Sequence, residues 1–210
     1  MPAFLAPGTG NTNAGRLQTT PFDNPDSFSE FVSDPATPVV NTYNSSGAHD
    51  YRTLADRADV LTFDSAQLQE DTEITGHITA RIFVSCDCRD FDLWVRLLDV
   101  SPDGRAINLM SPGLDVLRAS YRDLSRGRQL LSPGTIYELK LENLITSNLF
   151  LQGHRIRLQI SASFTPNFSR NLQSGKSEVN SVEMKRAHIR VFHDAKHLSQ
   201  VVLPIIPIVR

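Results

Sequence analysis

Alternation of apolar and polar residues with a period of two, repeated along most of the chain, limits what this sequence can fold into. Ile78, Ala80, Ile82 and Val84 fall on one side of an extended segment, opposite Thr79, Arg81 and Phe83. Phe91, Leu93, Val95 and Leu97 alternate in the same way with Asp92, Trp94, Arg96 and Leu98. Further short stripes are Leu117/Ala119/Tyr121, Tyr137/Leu139/Leu141 and Ile156/Leu158/Ile160, and the last strands are expected over Ala187–Phe192 and Val201–Ile205. Successive side chains of a strand point to opposite faces, so each stripe buries one face of a sheet. Between stripes lie turn formers: Ser101-Pro102-Asp103-Gly104, Ser132-Pro133-Gly134 and Gln152-Gly153. Proline presets φ there and glycine supplies the permissive backbone. No segment sustains a 3.6-residue period. The pattern predicts six to eight strands and an all-β fold, a β-sandwich or jelly roll.

Residues 1–57 read differently. They are rich in Pro, Gly, Asn, Ser and Thr, as in Asn44-Ser45-Ser46-Gly47 and the Pro7–Asn13 stretch. Short strands are expected only near Phe4–Ala6 and Arg16–Thr19, with Asp34–Val40 extended because each proline disfavours helix in its predecessor. This gives an extended N-terminal segment, 1–57, wrapping or linking to a β-sandwich over 58–210, the two making one structural domain. A sandwich of about 200–250 residues commonly forms a single domain, and this chain has 210.

A net charge of −2 leaves no surplus of cations with which to grip a phosphate backbone, so nucleic acid is not an expected partner. The basic stretch Lys185–Arg190 runs into an alternating strand and reads as a solvated strand face. No run approaches the roughly 20 apolar residues that span a bilayer. The start, Met1–Gly8, lacks the basic and apolar regions of a signal peptide. Cys86 and Cys88 continue the Ile78–Val84 stripe and are expected as buried free thiols.

The search for chemistry returns little. An α/β-type serine hydrolase needs a Gly-x-Ser-x-Gly elbow, and the chain has none, so no catalytic residue is assigned. His193-Asp194-Ala195-Lys196-His197 would place two imidazoles one turn apart on a helix. Between two strands it reads as a turn, with Asp194 accepting backbone N–H groups. Asp87, Asp90 and Asp92, and Glu70, Asp71 and Glu73, gather oxygens of the kind calcium prefers but without a recognisable ligand spacing. No metal site and no cofactor are expected. Trp94 reads as core or inter-domain packing rather than a sugar platform. The best local candidate for a binding surface is the loop carrying Phe164, Asn167, Phe168, Arg170 and Asn171, which mixes aromatics, a guanidinium and amides and faces a cleft or a partner.

Several segments together are similar to one family. They are Asp59–Ser65, Glu73-Ile74-Thr75-Gly76, Leu98–Leu109, Leu117–Arg122, Gly153–Ser161, His193–His197 and Val202–Ile205, with Pro25–Phe28 and Asp34–Val39 upstream. In order and spacing these resemble the C-terminal non-catalytic domain of the Xaa-Pro dipeptidyl-peptidase and CocE/NonD acyl-esterase serine hydrolases. The resemblance implies a jelly-roll sandwich of the galactose-binding-domain-like type. It also implies packing against an α/β-hydrolase domain, of the same or a companion chain, that carries the catalytic Ser, Asp and His. One departure is Ser169, where the family often has an acid.

The leading expectation is therefore an accessory domain that is inactive alone and shapes the substrate cleft of a parent acyl esterase or dipeptidyl-peptidase. The alternatives are a free-standing carbohydrate- or ligand-binding module, and an oligomerisation domain using an exposed sandwich face.

Overall fold

A computed structural model describes residues 1–8, 13–109 and 116–207. Thirteen strands form one connected sheet: β1 (Pro2–Pro7), β2 (Ala14–Gln18), β3 (Phe28–Ser33), β4 (Leu61–Asp64), β5 (Thr72–Cys86), β6 (Asp92–Val100), β7 (Ala106–Asn108), β8 (Val116–Arg118), β9 (Tyr137–Phe150), β10 (Arg155–Ser161), β11 (Ala187–Phe192), β12 (Gln200–Val202) and β13 (Ile205–Ile206). The main path runs β3-β11-β5-β12-β1-β2-β4-β10-β6-β7, with β8 beside β6 and β9 and β13 beside β5. Among the described strands only the β2–β4 pairing is parallel, as is the isolated Val40–Thr165 bridge, and the helical content is three short 3₁₀ turns. The protein is all-β.

The long strand β5 organises the sheet. Along one edge it pairs with β9 from Thr72 to Val84, with a register shift between Ile78 and Ala80. Along the other it pairs in turn with β13, β12 and β11. The Ile78/Ala80/Ile82/Val84 stripe is buried as the alternation requires. It meets Leu61 and Phe63 of β4, Leu93, Val95 and Leu97 of β6, and Ile156, Leu158 and Ile160 of β10 in one apolar core, as the two faces of a sandwich do. The turn assignments agree: Gly104 has φ +86° and Gly134 φ +80°, conformations that favour glycine.

The first 57 residues contribute three strands to the sheet. β1 and β2 lie where short strands are expected, and β2 sits so close to β4 that a Cβ at Gly15 would enter the Phe63 ring. β3 was not legible. Phe31 points into the core, but Ser29 and Ser33 share its face while Phe28 and Val32 point outward, so the strand shows no clean apolar period. Ser33 Oγ accepts from Gln173 Nε2 at 2.6 Å, and Ser29 is held inward by a polar anchor. His193 is fully buried, with Nδ1 2.8 Å from Ser27 Oγ and Nε2 3.1 Å from Ser29 Oγ. Phe22 and Phe63 meet the ring edge-on.

Residues 193–197 form the expected turn rather than a helix. Asp194 Oδ1 accepts the backbone N–H of Lys196 at 2.8 Å and of His197 at 2.9 Å. The two imidazoles have separate environments, since His197 packs against Phe83 and Phe192.

Burial pushes the His193 pKa down to about 4. An unfolded imidazole titrates near 6.5, so the fold resists a proton that the unfolded chain accepts. Stability from this group is complete above about pH 6.5, declines as pH falls towards 4, and is lost below. The total is about 3 kcal/mol. Urea unfolding of wild type and His193→Gln should show the wild-type advantage shrinking by about that amount between pH 7 and pH 4.

Candidate functional site

Strand β6 is buried on both faces, which a simple sandwich strand is not. Leu93, Val95 and Leu97 enter the main core; Trp94 and Leu98 belong to a second apolar cluster with Val39, Tyr51, Leu54, Val60, Val100, Ala106 and Phe164. Residues 34–57 and the loop after β10 supply this outer layer. The two covering segments are joined by a bridge between Val40 and Thr165. Thr165 N–H donates to Val39 O at 2.9 Å and Asn41 N–H to Thr165 O at 2.6 Å. On the far side Tyr51 N–H donates to Ala106 O at 2.8 Å, tying the same segment to β7.

The five residues expected to form a binding loop fall into two groups. Phe164 is buried, stacked on Trp94 with ring centres 4.8 Å apart and met edge-on by Tyr51. The fully buried Arg96 guanidinium lies 4.4 Å from the Phe164 ring centre and 5.0 Å from those of Trp94 and Tyr51, so three π faces surround one cation. Phe168 packs at the margin of this cluster. Asn167 and Arg170 are exposed but tethered: Asn167 Oδ1 accepts from Asn41 Nδ2 at 2.8 Å, and Arg170 Nη1 donates to Pro35 O at 3.1 Å. Asn171 is buried, donating through Nδ2 to Asp92 Oδ1 at 2.9 Å and accepting Gln173 N–H at 2.8 Å.

Asn171 leads to a charged cluster that was not legible in the sequence. Arg118 of β8 faces Asp92 of β6 across the sheet and binds it through both nitrogens, Nε–Oδ1 at 2.8 Å and Nη2–Oδ2 at 3.2 Å. Its Nη1 reaches both Glu178 oxygens at 2.9 and 3.0 Å. Ser169 Oγ donates to Glu178 Oε1 at 3.0 Å. Glu178 thus supplies Arg118 with a second carboxylate. Burial nevertheless raises the Asp92 pKa, outweighing the arginine, while Arg118 is held in its charged form by Asp92. A buried pair of this kind fixes geometry more than it adds stability. Asp90, two residues before β6 begins, accepts Ser120 N–H at 3.0 Å and Ser120 Oγ at 2.8 Å, with Arg128 Nη2 at 3.2 Å. Asp90 and Asp92, two of the acids that suggested calcium, are occupied by protein donors.

Beside the loop, across the 34–37 turn that holds Arg170, lies an open cleft of about 610 Å³. Glu30 and Val32 of β3, Asp34, Thr37, Arg57 and Asp59 line it. Arg57 clamps Asp59 through two bonds of 2.7 and 2.8 Å, and that contact raises its pKa. Elsewhere four histidines meet a hydroxyl or carboxylate: His49 meets Ser45 Oγ at 3.3 Å, His197 meets Asp194 Oδ2 at 3.0 Å, and His154 and His193 have closer partners. His154 Nδ1 lies 2.7 Å from Asp99 Oδ1, a pair also missed from sequence because its members are 55 residues apart. Among the described residues no serine hydroxyl bonds to that ring. The Ser27–His193 contact has the right distance for a nucleophile and base but is sealed from solvent, and its other nitrogen meets a serine rather than an acid.

Removing the aromatic anchor should loosen the loop with the strand beneath it. Phe164→Ala is expected to cost about 3–5 kcal/mol by denaturant unfolding. Arg118→Ala should cost about 3 kcal/mol or more by stranding buried Asp92, and Arg118→Met with Asp92→Leu should recover most of it. An additive double variant would refute the coupling.

Comparison with known proteins places this geometry in context. Residues 4–202 match the X-Pro dipeptidyl-peptidase C-terminal non-catalytic domain. The chain is 36% identical over 209 residues to a cocaine esterase of Rhodococcus sp., a match covering 95% of this chain and 36% of that protein. An aminopeptidase from a marine sediment archaeon (Thaumarchaeota) superposes with TM-score 0.85 at 27% identity, covering 99% of this chain and 37% of that one. An α-amino acid ester hydrolase shares the fold with TM-score 0.84 at 24% identity, covering 98% of this chain and 36% of that one. The chain spans little more than a third of each relative's length.

Proposed function

Because the chain belongs to the X-Pro dipeptidyl-peptidase C-terminal non-catalytic domain family, we propose that it is the accessory β-sandwich of a larger serine hydrolase of the CocE/NonD kind. In this reading it packs on an α/β-hydrolase domain and forms one wall of that domain's substrate cleft. The carrying observation is the end-to-end match, 95% of this chain against 36% of the esterase, leaving most of the relative's length for other machinery. Cocaine esterase, aminopeptidase and amino acid ester hydrolase all name acyl transfer to water, so the substrate class is an acyl ester or an aminoacyl amide.

The physical contribution follows from rigidity. Asn167 and Arg170 are exposed side chains on a loop held from beneath by Phe164, from one side by Asn41 and Pro35, and at its end by Asn171 and Asp92. A surface fixed in this way can close over a reacting centre without losing side-chain entropy, and excluding water there strengthens the partner's own electrostatics. The 1–57 segment and the sandwich act as one unit in this role. A carbohydrate module is the weaker reading, because Trp94 and Phe164, the aromatics such a module would expose, are stacked on each other inside the domain.

The test uses the parent's hydrolase portion prepared with and without this chain. The isolated chain should not hydrolyse p-nitrophenyl esters or Xaa-Pro anilides above the buffer rate. Adding it should raise kcat/KM of the hydrolase portion, and Asn167→Ala with Arg170→Ala should raise KM several-fold with little change in the chain's own unfolding midpoint. Serine-reagent-sensitive turnover by the isolated chain, or a parent equally active without it, would overturn the proposal.

A further inference from the structure

Cys86 closes β5 and Cys88 follows one residue later, both buried against the main core. Their sulfurs lie 2.8 Å apart, with the Cys88 thiol donating to Cys86 Sγ. A disulfide bond is about 2.05 Å long, so little movement separates the pair from bonding. The backbone between and beyond them bends at residues 87–89. Cys86 Sγ donates to Cys88 O at 3.1 Å and Cys88 Sγ reaches Asp90 O at 3.2 Å, which folds residues 86–90 into a tight loop.

The two thiols differ in their surroundings. Cys86 borders a cavity of about 260 Å³ that opens between Asp87, Pro133, Gly134 and His188, whereas Cys88 is fully enclosed. The Cys88 thiol contact, aided by Lys185, holds the Cys86 pKa below its ordinary value against burial. The same contact and burial push Cys88 up. A reactive thiol at a cavity wall beside an enclosed second thiol is the arrangement of an attacking and a resolving cysteine.

We propose that Cys86 and Cys88 form a redox-convertible dithiol that a peroxide closes to an intramolecular disulfide. Cys86 thiolate attacks one peroxide oxygen, giving a sulfenic acid and releasing hydroxide, which takes up a proton to become water. Cys88 sulfur then attacks the Cys86 sulfur, forming the S–S bond and expelling a second water as its own proton leaves. Two thiols lose two electrons and two protons, and one hydrogen peroxide becomes two waters. The 87–92 segment leads directly to Asp90 and Asp92, so closure would act on the carboxylates that hold Ser120, Arg128, Arg118 and Asn171.

The whole chain is incubated with hydrogen peroxide, denatured, and examined by mass spectrometry and thiol titration. Wild type should lose two hydrogens and both titratable thiols, and dithiothreitol should restore them. Cys88→Ala should instead leave a sulfenic acid on Cys86 that a dimedone probe labels, and Cys86→Ala should leave Cys88 unlabelled. Retention of both thiols in wild type, further oxidation to sulfinic acid without disulfide, or only chain-to-chain disulfides would each overturn the proposal. None of these outcomes bears on whether the chain assists a hydrolase.

Discussion

Double-sided burial of β6 is the constraint from which most of this structure follows. Trp94 on its outer face is costly to leave in water, and Arg96, buried beside it, cannot sit among aliphatic groups alone. The solution is a layer of aromatics contributed by distant segments, Tyr51 from the N-terminal region and Phe164 from the loop after β10. Once those two rings are committed, the path of residues 39–51 and of 163–168 is largely set, because each segment must keep its backbone hydrogen bonds while delivering its ring. The Val40–Thr165 bridge is the point where the two requirements meet. The N-terminal region therefore completes a core; it is more than a tether.

This explains which parts of the fold could be read from sequence. Stripes facing the main core, such as Ile78–Val84 and Ile156–Ile160, carry a clean period of two because one side packs and the other is wetter. β6 shows an apolar residue at most positions, and its second face looks like ordinary alternation with a misplaced tryptophan and arginine. Nothing local says that Trp94 will find Phe164, 70 positions on. β3 was hidden for the opposite reason: two of its inward positions are serines that bond buried His193 and Gln173, while Phe28 and Val32 face outward, so Phe31 alone carries its apolar period. The His193–His197 turn was legible because Asp194 needs only its own neighbours.

The candidate loop was located by composition, and composition could not separate its exposed members from its supports. Aromatic, amide and arginine side chains mark a binding loop and a braced loop alike. What decides is where each ring or headgroup finds its partner, and those partners come from residues 35, 41, 92 and 94, all distant in sequence. The Arg118 cluster was invisible for the same reason. Its acids come from β6 and from the 178 region, and only the β6–β8 register puts Asp92 opposite Arg118.

Seen energetically, that cluster is a poor way to gain stability and a good way to fix position. Burial raises Asp92's pKa even with a two-point contact from Arg118, so desolvation is not fully offset. Aliphatic residues of similar volume would hold β8 to β6 at least as well. They would not, however, orient Asn171, which bonds the Asp92 carboxylate, or reach Glu178 and Ser169, which depend on directional bonds from one planar guanidinium. The chain therefore accepts a charged group beneath the loop, and in the proposed accessory role that group helps present Asn167 and Arg170 in one geometry. A domain whose only task was to be stable would have little reason to keep such an arrangement. A domain that offers a fixed surface to a partner has one.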